Sequence, residues 1–352
     1  MEALKNKESI LLKALIISIV AVLFFGGALI ALKYWSQSIS ILAKDDLLKA
    51  VVQQAREPAR IFANSHSILK GLSADKSVIN FLSSSGEPPN KETPTREVVE
   101  EILSHFNIEN YPAIYLIDPS GLTVAATDKA GVFFGKNYAM RDYFKKAING
   151  EPWTDMAVGI TTNLPGYYFS EPVKDNFGKI IGVAAAKLDN MIIEQAVVSG
   201  LMNSFNGNVM IVDTDGVIIS SQQSTRLFKT LALFNEQKKQ DVMAKKKFII
   251  SDFITIHFDS VQRSIDSYSY PVTVELTEPL DKKNKIIALT AIGKSPFYLM
   301  VEVDKTNRTL ASLENFIAIL FYIMLAISVI SLIAYLLVRN RNKEGYFKVD
   351  LE

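Results

Sequence analysis

The sequence contains no cysteine, and this absence excludes disulfides, thiolate metal sites and a cysteine nucleophile. Histidine is almost as rare: His66, His105 and His257 show no metal-ligand spacing, so we predict no metal site. Neither sign of charge dominates, since 38 basic residues face 37 acidic ones, and a nucleic-acid partner is therefore not expected. Only 21% of the residues are charged and the mean hydropathy is positive, which predicts that part of the chain lies in lipid.

The sequence also lacks the common signatures of enzymes. It has no phosphate-binding loop, no Gly-rich dinucleotide fingerprint, no HExxH and no GxSxG. Ser67–Lys70 and Ser73–Lys76 match the S-x-x-K pattern of some hydrolases, but the companion SDN and KTG motifs are missing, and so short a pattern arises by chance. We therefore predict neither a catalytic residue nor a cofactor in this chain.

Two long apolar runs predict two transmembrane helices, at 14–33 and 316–338. Nineteen uncharged residues from Ala14 nearly match a hydrocarbon core of about 30 Å at about 1.5 Å per residue. A cleaved signal peptide suits this run less well, because the run is long and no small-residue cleavage site follows it. Basic residues precede the first run and follow the second, so residues 1–13 and 339–352 are expected in the cytoplasm. The chain between the runs then lies in the periplasm or outside the cell, as part of an inner (plasma) membrane protein.

After the first run, residues 34–100 are predicted to form a long helical region leading into a folded domain. Apolar residues recur around His66 at three- and four-residue steps: Leu48, Val52, Ala55, Ala59, Phe62, Leu69 and Leu72. Such a stripe could pack on its own domain or, equally, on a second copy in a homodimer. Pro58 should kink the helix, Ser83–Thr95 is a surface loop by its Gly, Pro and Ser content, and Arg96–Phe106 is another helix.

A repeat follows, in which Ala113–Thr127 and Asn208–Ser221 share one design. Each has an apolar strand, an Asp-x-x-Gly turn and a second apolar strand. Later apolar stretches predict the closing strands: 166–173 and 179–189 in the first copy, and 267–276, 285–293 and 297–304 in the second. We therefore predict an α+β fold with two domains in tandem, at 101–198 and 199–305, joined to the second span by a connector at 306–315.

A basic run, Lys238–Phe248, lies in the second of these domains. We interpret it as a solvated connector between elements. The alternative is contact with lipid headgroups, since a basic cluster near a bilayer gains about 1 kcal/mol per charge.

One stretch of the first repeat, Asn137–Val173, concentrates hydrogen-bonding side chains. Arg141 carries a planar fork that matches a carboxylate, and it stays charged at physiological pH. Tyr138 precedes it by three residues, one helical turn, so both side chains can face one spot. The loop that follows presents the hydroxyls of Thr161 and Thr162 together with backbone amides.

The two strands after this loop add further candidates. Tyr167 and Tyr168 are neighbours on a strand and must point to opposite faces, so one of them can join a pocket. Lys187 follows small apolar residues on the next strand, where it either reaches an open edge or meets a buried anion. Singly, these residues suit surface ion pairs and amphipathic core positions. Together with Arg141 they describe an anion pocket with two cationic ends.

The sequence resembles the double Cache (tandem PAS-like) sensor domains, and most closely those of C4-dicarboxylate sensor histidine kinases. The resemblance rests on "NYAMRDYFKKAINGE", "GITTNLPGYYFSEPVKD", "GKIIGVAAAKLD" and "DTDGVIISS", and it covers about Tyr34–Asn315. It implies that both domains are PAS-like and that the domain far from the membrane holds a short dicarboxylate. The residues that it implies as ligand contacts are Tyr138, Arg141, Thr161, Thr162, Tyr168 and Lys187, with Tyr167 and Tyr143 as further candidates.

Amino-acid-binding domains of the same superfamily look different at two places. Their arginine precedes an aromatic pair that contains Trp, and a late strand carries an Asp that holds the ligand ammonium. This sequence has Asp142, Tyr143 and Phe144 after the arginine, and Lys187 where that Asp would fall. Because a cation there reverses the preferred ligand charge, a second carboxylate fits better than an amine. An amino-acid or monocarboxylate receptor and a binding protein that does not signal are the alternatives.

The family's kinases continue after the second span into dimerisation and ATP-binding domains, whereas fourteen residues follow it here. Fewer than about 40 residues rarely fold alone. We therefore expect the signal to pass to a separate kinase, a transporter or another partner. A truncated remnant of a sensor kinase is the alternative.

Overall fold

The computed structural model describes residues 2–84, 95–106, 111–128, 131–201, 207–245, 247–248, 252–279, 282–305 and 308–349. The predicted loop at Ser83–Thr95 lies almost entirely outside these residues. The chain forms two compact units: one contains Met1–Ala43 and Lys305–Glu352, and the other contains Lys44–Asp304.

The helices and strands follow one another in three groups along the chain. The first group is helical: α1 (Glu2–Gln54), α2 (Arg56–Ser73), α3 (Lys76–Ser83) and α4 (Arg96–Phe106). The first repeat comprises β1 (Ala113–Ile117), β2 (Thr123–Ala126), α5 (Asp142–Ile148), β3 (Trp153–Val158), β4 (Pro165–Lys174) and β5 (Ile180–Asp189). After α6 (Asn190–Leu201), the second repeat and the last helix comprise β6 (Gly207–Asp213), β7 (Ile218–Ser221), a 3-10 turn (Ser224–Arg226), α7 (Glu236–Ala244), α8 (Asp259–Asp266), β8 (Val272–Thr277), β9 (Asn284–Ala291), β10 (Phe297–Asp304) and α9 (Arg308–Val349).

Helices α1 and α9 each contain a stretch that is long and apolar enough to cross a membrane, Asn6–Trp35 and Asn315–Arg341. The predicted spans at 14–33 and 316–338 fall inside these stretches. Only 11% and 6% of their most apolar windows are buried, so neither stretch has the buried surroundings of a core helix in a soluble domain. Both therefore present the apolar surface that a lipid environment requires.

The two repeats form two antiparallel sheets of five strands each, with the same strand order: β2-β1-β5-β4-β3 and β7-β6-β10-β9-β8. This confirms the predicted α+β fold with a repeated unit. The prediction missed β3, because Asp155 interrupts its apolar pattern although the carboxylate is buried. Since both sheets belong to one compact unit, the domain boundaries 101–198 and 199–305 stay a prediction.

One hydrophobic core lies between the helices and both sheets. Phe62 of α2 contacts Tyr167 and Phe169 of the first sheet, with ring centroids 5.3 and 5.6 Å apart. The same ring lies 5.8 Å from Phe297 of the second sheet. The apolar stripe therefore packs on its own domain, which was one of the two predicted alternatives.

The buried positions of this stripe differ from the prediction near its start. Steps of three and four residues counted back from Phe62 reach Pro58, Ala55, Val51 and Leu47, and all four are buried, whereas the predicted Leu48 and Val52 are half-buried. The helix breaks at Ala55, so Pro58 lies in the first turn of α2, where its missing amide leaves few bonds unmade.

Candidate functional site

A small cavity lies in the first repeat between the sheet, the start of α5 and the loop 159–164 that joins β3 to β4. Its free space, open solvent included, is about 210 Å³, and it is lined by Phe133, Tyr138, Arg141, Tyr143, Gly159, Ile160, Thr161, Thr162 and Tyr168. Six of these nine residues were predicted from the sequence. The predicted Lys187 does not line the cavity itself but bonds to Thr162, which does.

Tyr138 and Arg141 are brought together by a turn and not by the helical turn that their spacing predicted. The Arg141 amide donates to the Tyr138 carbonyl at 2.9 Å, and α5 begins only after Arg141. Gly121 of the Asp-x-x-Gly hairpin holds this turn in place, since its carbonyl accepts from the Tyr138 amide at 2.8 Å. A Cβ on Gly121 would come within 2.6 Å of Ala139, so the hairpin glycine makes room for the turn that holds Tyr138 and Arg141.

The Arg141 side chain is 4% exposed and crosses the cavity to the end of β3. Its Nη2 donates to the Val158 carbonyl at 2.9 Å. Because a guanidinium stays protonated even when buried, this end of the cavity carries a fixed positive charge.

The loop 159–164 connects both sides of the cavity through two neighbouring threonines. Thr161 Oγ1 lies 2.8 Å from the Tyr138 hydroxyl. Thr162 Oγ1 accepts from Lys187 Nζ at 2.7 Å. The loop therefore closes over the cavity, and its hydroxyls bond to side chains at two sides of it.

Lys187 lies on β5, the central strand, in the same cross-strand row as Tyr168. It is 3% exposed, so the predicted alternative that it reaches an open edge is wrong. Among the described residues its bonded partners are neutral oxygens, Thr162 Oγ1 and the Leu164 carbonyl. Burial lowers the pKa of Lys187, and the nearby Asp189 carboxylate opposes that shift. A Cβ on Gly166 would lie 2.6 Å from Lys187 Cε, so the glycine leaves the path for the lysine side chain.

The two neighbouring tyrosines of β4 point to opposite faces, as the strand geometry predicted. Tyr168 lines the cavity and stacks on Tyr143 at 5.2 Å, with the rings nearly parallel. Tyr167 packs in the helix-side core against Phe62 and Phe297. The structure therefore does not bring the predicted Tyr167 to the site, because the pleat turns it away.

Sequence reasoning missed Phe133, Gly159 and Ile160 of the cavity lining, and also Tyr115, which bonds to a lining residue. Tyr115 of β1 donates to the Tyr143 hydroxyl at 3.0 Å and stacks on Phe133 at 5.4 Å. A Cβ on Gly159 would lie 2.7 Å from both Thr162 Oγ1 and the Tyr168 hydroxyl. The alternation of β1 placed Tyr115 on one face of the sheet, but only the fold shows that this face carries the cavity.

The ionisable side chains at the cavity give it a positive net charge. Burial raises the pKa of Tyr138, and burial also raises the pKa of Tyr168 and Tyr143 well above the ordinary tyrosine value. These hydroxyls therefore stay neutral and can donate to an anion, while Arg141 and Lys187 supply the charge. No group of three or more metal-ligating side chains occurs in the part of the chain that the structure describes.

The sequence matches the Cache domain family model dCache_1 over residues 36–313. Two curated proteins named C4-dicarboxylate transport sensor protein DctB are similar to it. The one from Rhizobium meliloti is 25% identical over 309 residues, which cover 84% of this chain and 46% of that protein. The one from Pseudomonas aeruginosa is 28% identical over 141 residues, which cover 40% of this chain and 22% of that protein. The chain thus spans less than half the length of these curated relatives.

Solved structures show the same fold. The sensor domain of the V. cholerae histidine kinase DctB superposes with a TM-score of 0.57 at 20% identity, covering 78% of this chain and all of that one. The ligand-binding domain of the Pseudomonas fluorescens chemoreceptor CtaA in complex with L-leucine gives 0.51 at 16% identity, covering 78% of this chain and 99% of that one. At these identities the likeness shows the fold and not the ligand.

Proposed function

The chain belongs to the Cache domain family, and on that premise we propose that its first repeat is a sensor for a small organic anion of the C4-dicarboxylate class. One observation carries this proposal: two buried cations reach oxygens of one short segment. Arg141 Nη2 donates to the Val158 carbonyl, and Lys187 Nζ donates to Thr162 Oγ1.

Carboxylates are better acceptors for both cations than these neutral oxygens. A carboxylate adds the attraction of opposite charges to the hydrogen bond and can accept from a guanidinium bidentately, so an incoming carboxylate would take over the bonds of Arg141 and Lys187. Two carboxylates on one short carbon chain would engage one cation each. Tyr138, Thr161 and Tyr168 would then supply neutral hydroxyl donors around the ligand.

The charge at Lys187 favours a dicarboxylate over an amino acid. An α-amino acid would place its ammonium beside one of the two cations, which costs free energy in a buried site. The two curated relatives are named C4-dicarboxylate transport sensor proteins, which agrees with this choice. An amino-acid or monocarboxylate receptor remains the competing proposal, since CtaA shares the fold.

For the whole chain, we propose a two-pass inner-membrane sensor with both ends in the cytoplasm and the Cache region outside it. The basic flanks of the two apolar stretches support this orientation. We further propose that the protein signals to a separate kinase, transporter or other partner as a homodimer through its N-terminal helix, which would use a face of the helix other than the apolar stripe, since the stripe packs on the chain's own domain. Helix shifts of about 1–2 Å are sufficient for signalling in other switching proteins.

Calorimetric titration of the purified full chain tests the ligand proposal. The panel contains succinate, malate, fumarate, acetate and a set of amino acids, applied to wild type, Arg141→Ala and Lys187→Met. We expect dicarboxylates to bind wild type, acetate to bind weakly, and each variant to lose at least about 2 kcal/mol of binding free energy, as buried charge pairs do.

Lys174→Met is the matched control, because Lys174 is an exposed lysine at the end of the strand that carries Tyr168. It should bind as wild type does. Amino-acid binding that is indifferent to Lys187→Met would replace the dicarboxylate with the competing ligand. If no compound on the panel binds, the proposed ligand class is wrong.

A further inference from the structure

One lysine of the second repeat contacts the elements of the first repeat that surround the cavity, β3 and the start of α5. Lys247 Nζ lies 2.6 Å from Asp155 of β3 and 3.8 Å from Asp142, the first residue of α5. Its backbone carbonyl accepts the Val158 amide at 2.8 Å. The Lys247 side chain is 16% exposed and that of Asp155 is 4% exposed, so this is a buried link. The solvated connector expected for the basic run is therefore wrong at this residue.

Each residue that Lys247 contacts is bonded to, next to or paired across the sheet with a predicted site residue. The Val158 amide donates to the Lys247 carbonyl, and the Val158 carbonyl accepts from Arg141 Nη2. Asp142 directly follows Arg141 in the chain. Asp155 pairs with Tyr168 in the same row of the sheet. Lys247 thus holds the backbone and the carboxylates that position both Arg141 and Tyr168.

The same short segment is tied to the second repeat at its other end. Lys245, two residues earlier, forms an ion pair of 2.7 Å with Asp215 in the second Asp-x-x-Gly turn. That turn joins β6 to β7, and β6 lies next to the central strand β10, which ends just before the last helix. A displacement of β3 would therefore be felt by the second sheet through two neighbouring lysines.

We propose that Lys247 is a positioning residue for the binding site and that it couples the site to the second repeat; the coupling role rests on the proposed anion function. An anion that draws Arg141 away from the Val158 carbonyl releases the end of β3, and Lys247 carries that change to the turn at Asp215. The second repeat then contributes to affinity as well as responding to the ligand, because coupling between two sites is reciprocal.

The chemistry of the link explains why a lysine is needed. Burial alone would lower the pKa of Lys247, but the ion pair with Asp155 raises it, so the ammonium stays charged. Removing it would leave the Asp155 carboxylate buried without its partner, close to the place where an anion is to bind. The unpaired buried charge would destabilise β3, and its negative sign would repel the anion. Both effects would weaken binding, although no residue proposed to contact the ligand is changed.

The test uses the full chain and two measurements, succinate titration and backbone hydrogen exchange by mass spectrometry. The variants are Lys247→Met, which keeps the apolar stem, and Lys247→Arg, which keeps the charge. Asp155→Asn combined with Lys247→Met removes both charges, so that the fold is not left with one buried unpaired charge. Lys239→Met is the control, because Lys239 forms its 2.8 Å ion pair with Asp252 inside the second repeat.

We expect Lys247→Met to weaken succinate binding about tenfold, within the range usual for coupled sites, and Lys247→Arg to restore most of it. In wild type, succinate should slow exchange in β3 and also in α7 and the β6–β7 turn. In Lys247→Met and in the double variant the response of α7 and the turn should be lost, although the double variant stays folded. Wild-type affinity together with a wild-type exchange response in Lys247→Met would overturn the proposal.

The two proposals fail in different ways. If succinate does not bind wild type, the ligand proposal has failed, but the positioning role is still tested without ligand. Lys247→Met should then raise exchange at the end of β3 in the free protein, and Lys239→Met should not. Unchanged exchange at β3 in the free Lys247→Met protein would overturn the positioning role whatever succinate does.

Discussion

The two repeats share a strand order and differ in how they balance buried charge. Counting five residues back from the aspartate of each Asp-x-x-Gly turn gives Ala113 in one repeat and Asn208 in the other. Ala113 pairs with Lys187 on β5, and Asn208 pairs with Glu302 on β10. The same position of the two central strands thus holds a cation in the first repeat and an anion in the second.

In the second repeat, buried cations form ion pairs with carboxylates of the same repeat. Arg226 lies 2.5 Å from Glu278 and 3.4 Å from Glu302, and Lys285 lies 3.3 and 3.0 Å from the same two residues. The side chains of all four are at most 10% exposed. In the first repeat, Lys187 donates instead to neutral oxygens. The second repeat therefore balances its buried cations with internal ion pairs, whereas under the proposed function an external anion would balance Lys187 in the first.

The largest expected effect comes from breaking the charge balance of the second repeat. Glu278→Gln keeps the shape of the side chain but leaves Arg226 and Lys285 with one carboxylate fewer. We expect the free energy of unfolding to fall by about 3–5 kcal/mol, as when one partner of a buried pair is lost. Chemical denaturation of the full chain, followed by circular dichroism, measures this change.

The control for that experiment is Lys283→Met, since the pair of Lys283 with Asp304 is 46% and 43% exposed. It should cost less than about 1 kcal/mol. If Glu278→Gln costs no more than this control, the second repeat does not depend on internal charge balance, and the contrast between the repeats loses its energetic basis.

The aspartates of the two turns offer a second, smaller comparison. Burial raises the pKa of Asp213 to about 6, with Asp215 adding to the shift, against an ordinary value of 3.8. Protonated Asp213 is therefore favoured in the folded state, so its contribution to stability is complete below about pH 4 and is lost as the pH rises through about 6. At about 1.4 kcal/mol per pKa unit, the contribution is about 2–3 kcal/mol.

Asp213→Asn should remove this dependence while its amide oxygen still accepts the Val217 amide, a bond of 2.9 Å in wild type. Relative to wild type, the variant should gain about 2–3 kcal/mol between pH 4 and pH 7 in denaturant titrations. Asp118→Asn is the matched control, because Asp118 is the same turn residue in the first repeat but is half-exposed. Equal pH profiles for the two variants would show that burial does not distinguish the two turns.

A further test places a methyl group on a backbone glycine of the cavity in the first repeat. In Gly159→Ala the new methyl would lie 2.7 Å from Thr162 Oγ1 and from the Tyr168 hydroxyl, and 3.3 Å from Lys187 Nζ. We expect succinate affinity to fall about tenfold, which is about 1.4 kcal/mol, with the second sheet unaffected in hydrogen exchange. Calorimetry measures the affinity.

Gly71→Ala is its control, since the nearest atom to the new methyl is 3.6 Å away in an ordinary contact on α2. That variant should bind normally and gain about 0.5–1 kcal/mol of stability as a helical alanine. Undiminished affinity in Gly159→Ala would move the ligand away from this cavity.

The smallest expected effect concerns the two faces of β4. Within the described part of the chain, the Tyr167 hydroxyl is buried without a hydrogen-bond partner. Tyr167→Phe should therefore be neutral or should stabilise the protein by up to about 1 kcal/mol in thermal unfolding, with succinate affinity unchanged. Tyr168→Phe, one residue away on the cavity face, should weaken binding instead. Reduced affinity in Tyr167→Phe would mean that the helix-side face also serves the ligand.

Much of the fold could be predicted because its signals are local. The two apolar runs, the paired Asp-x-x-Gly hairpins and the alternating strands each follow from residues close in the chain. Strand β3 escaped prediction because Asp155 reads as a surface residue until its partner is known. That partner, Lys247, lies 92 positions later in the sequence (247 − 155) and inside a basic run that has the composition of a connector.

The residues of the candidate site that carry a charge or a hydroxyl group were predicted. The glycines that leave room for them were missed. Arg141, Thr162 and Lys187 carry chemistry that a pattern can indicate. Gly159 and Gly166 act through the absence of a side chain, and only the distances to Lys187 and its neighbours reveal what that absence permits. Tyr167 shows the converse: its residue type suits the site, and the strand pleat alone removes it.

The contact of Phe62 with both sheets has a consequence for how this region unfolds. A single phenylalanine that fills part of each sheet's core cannot leave one of them without opening a void in the other. The unit Lys44–Asp304 should therefore melt as one cooperative body despite its internal duplication. Either repeat, if excised alone, would carry an exposed aromatic surface and tend to aggregate.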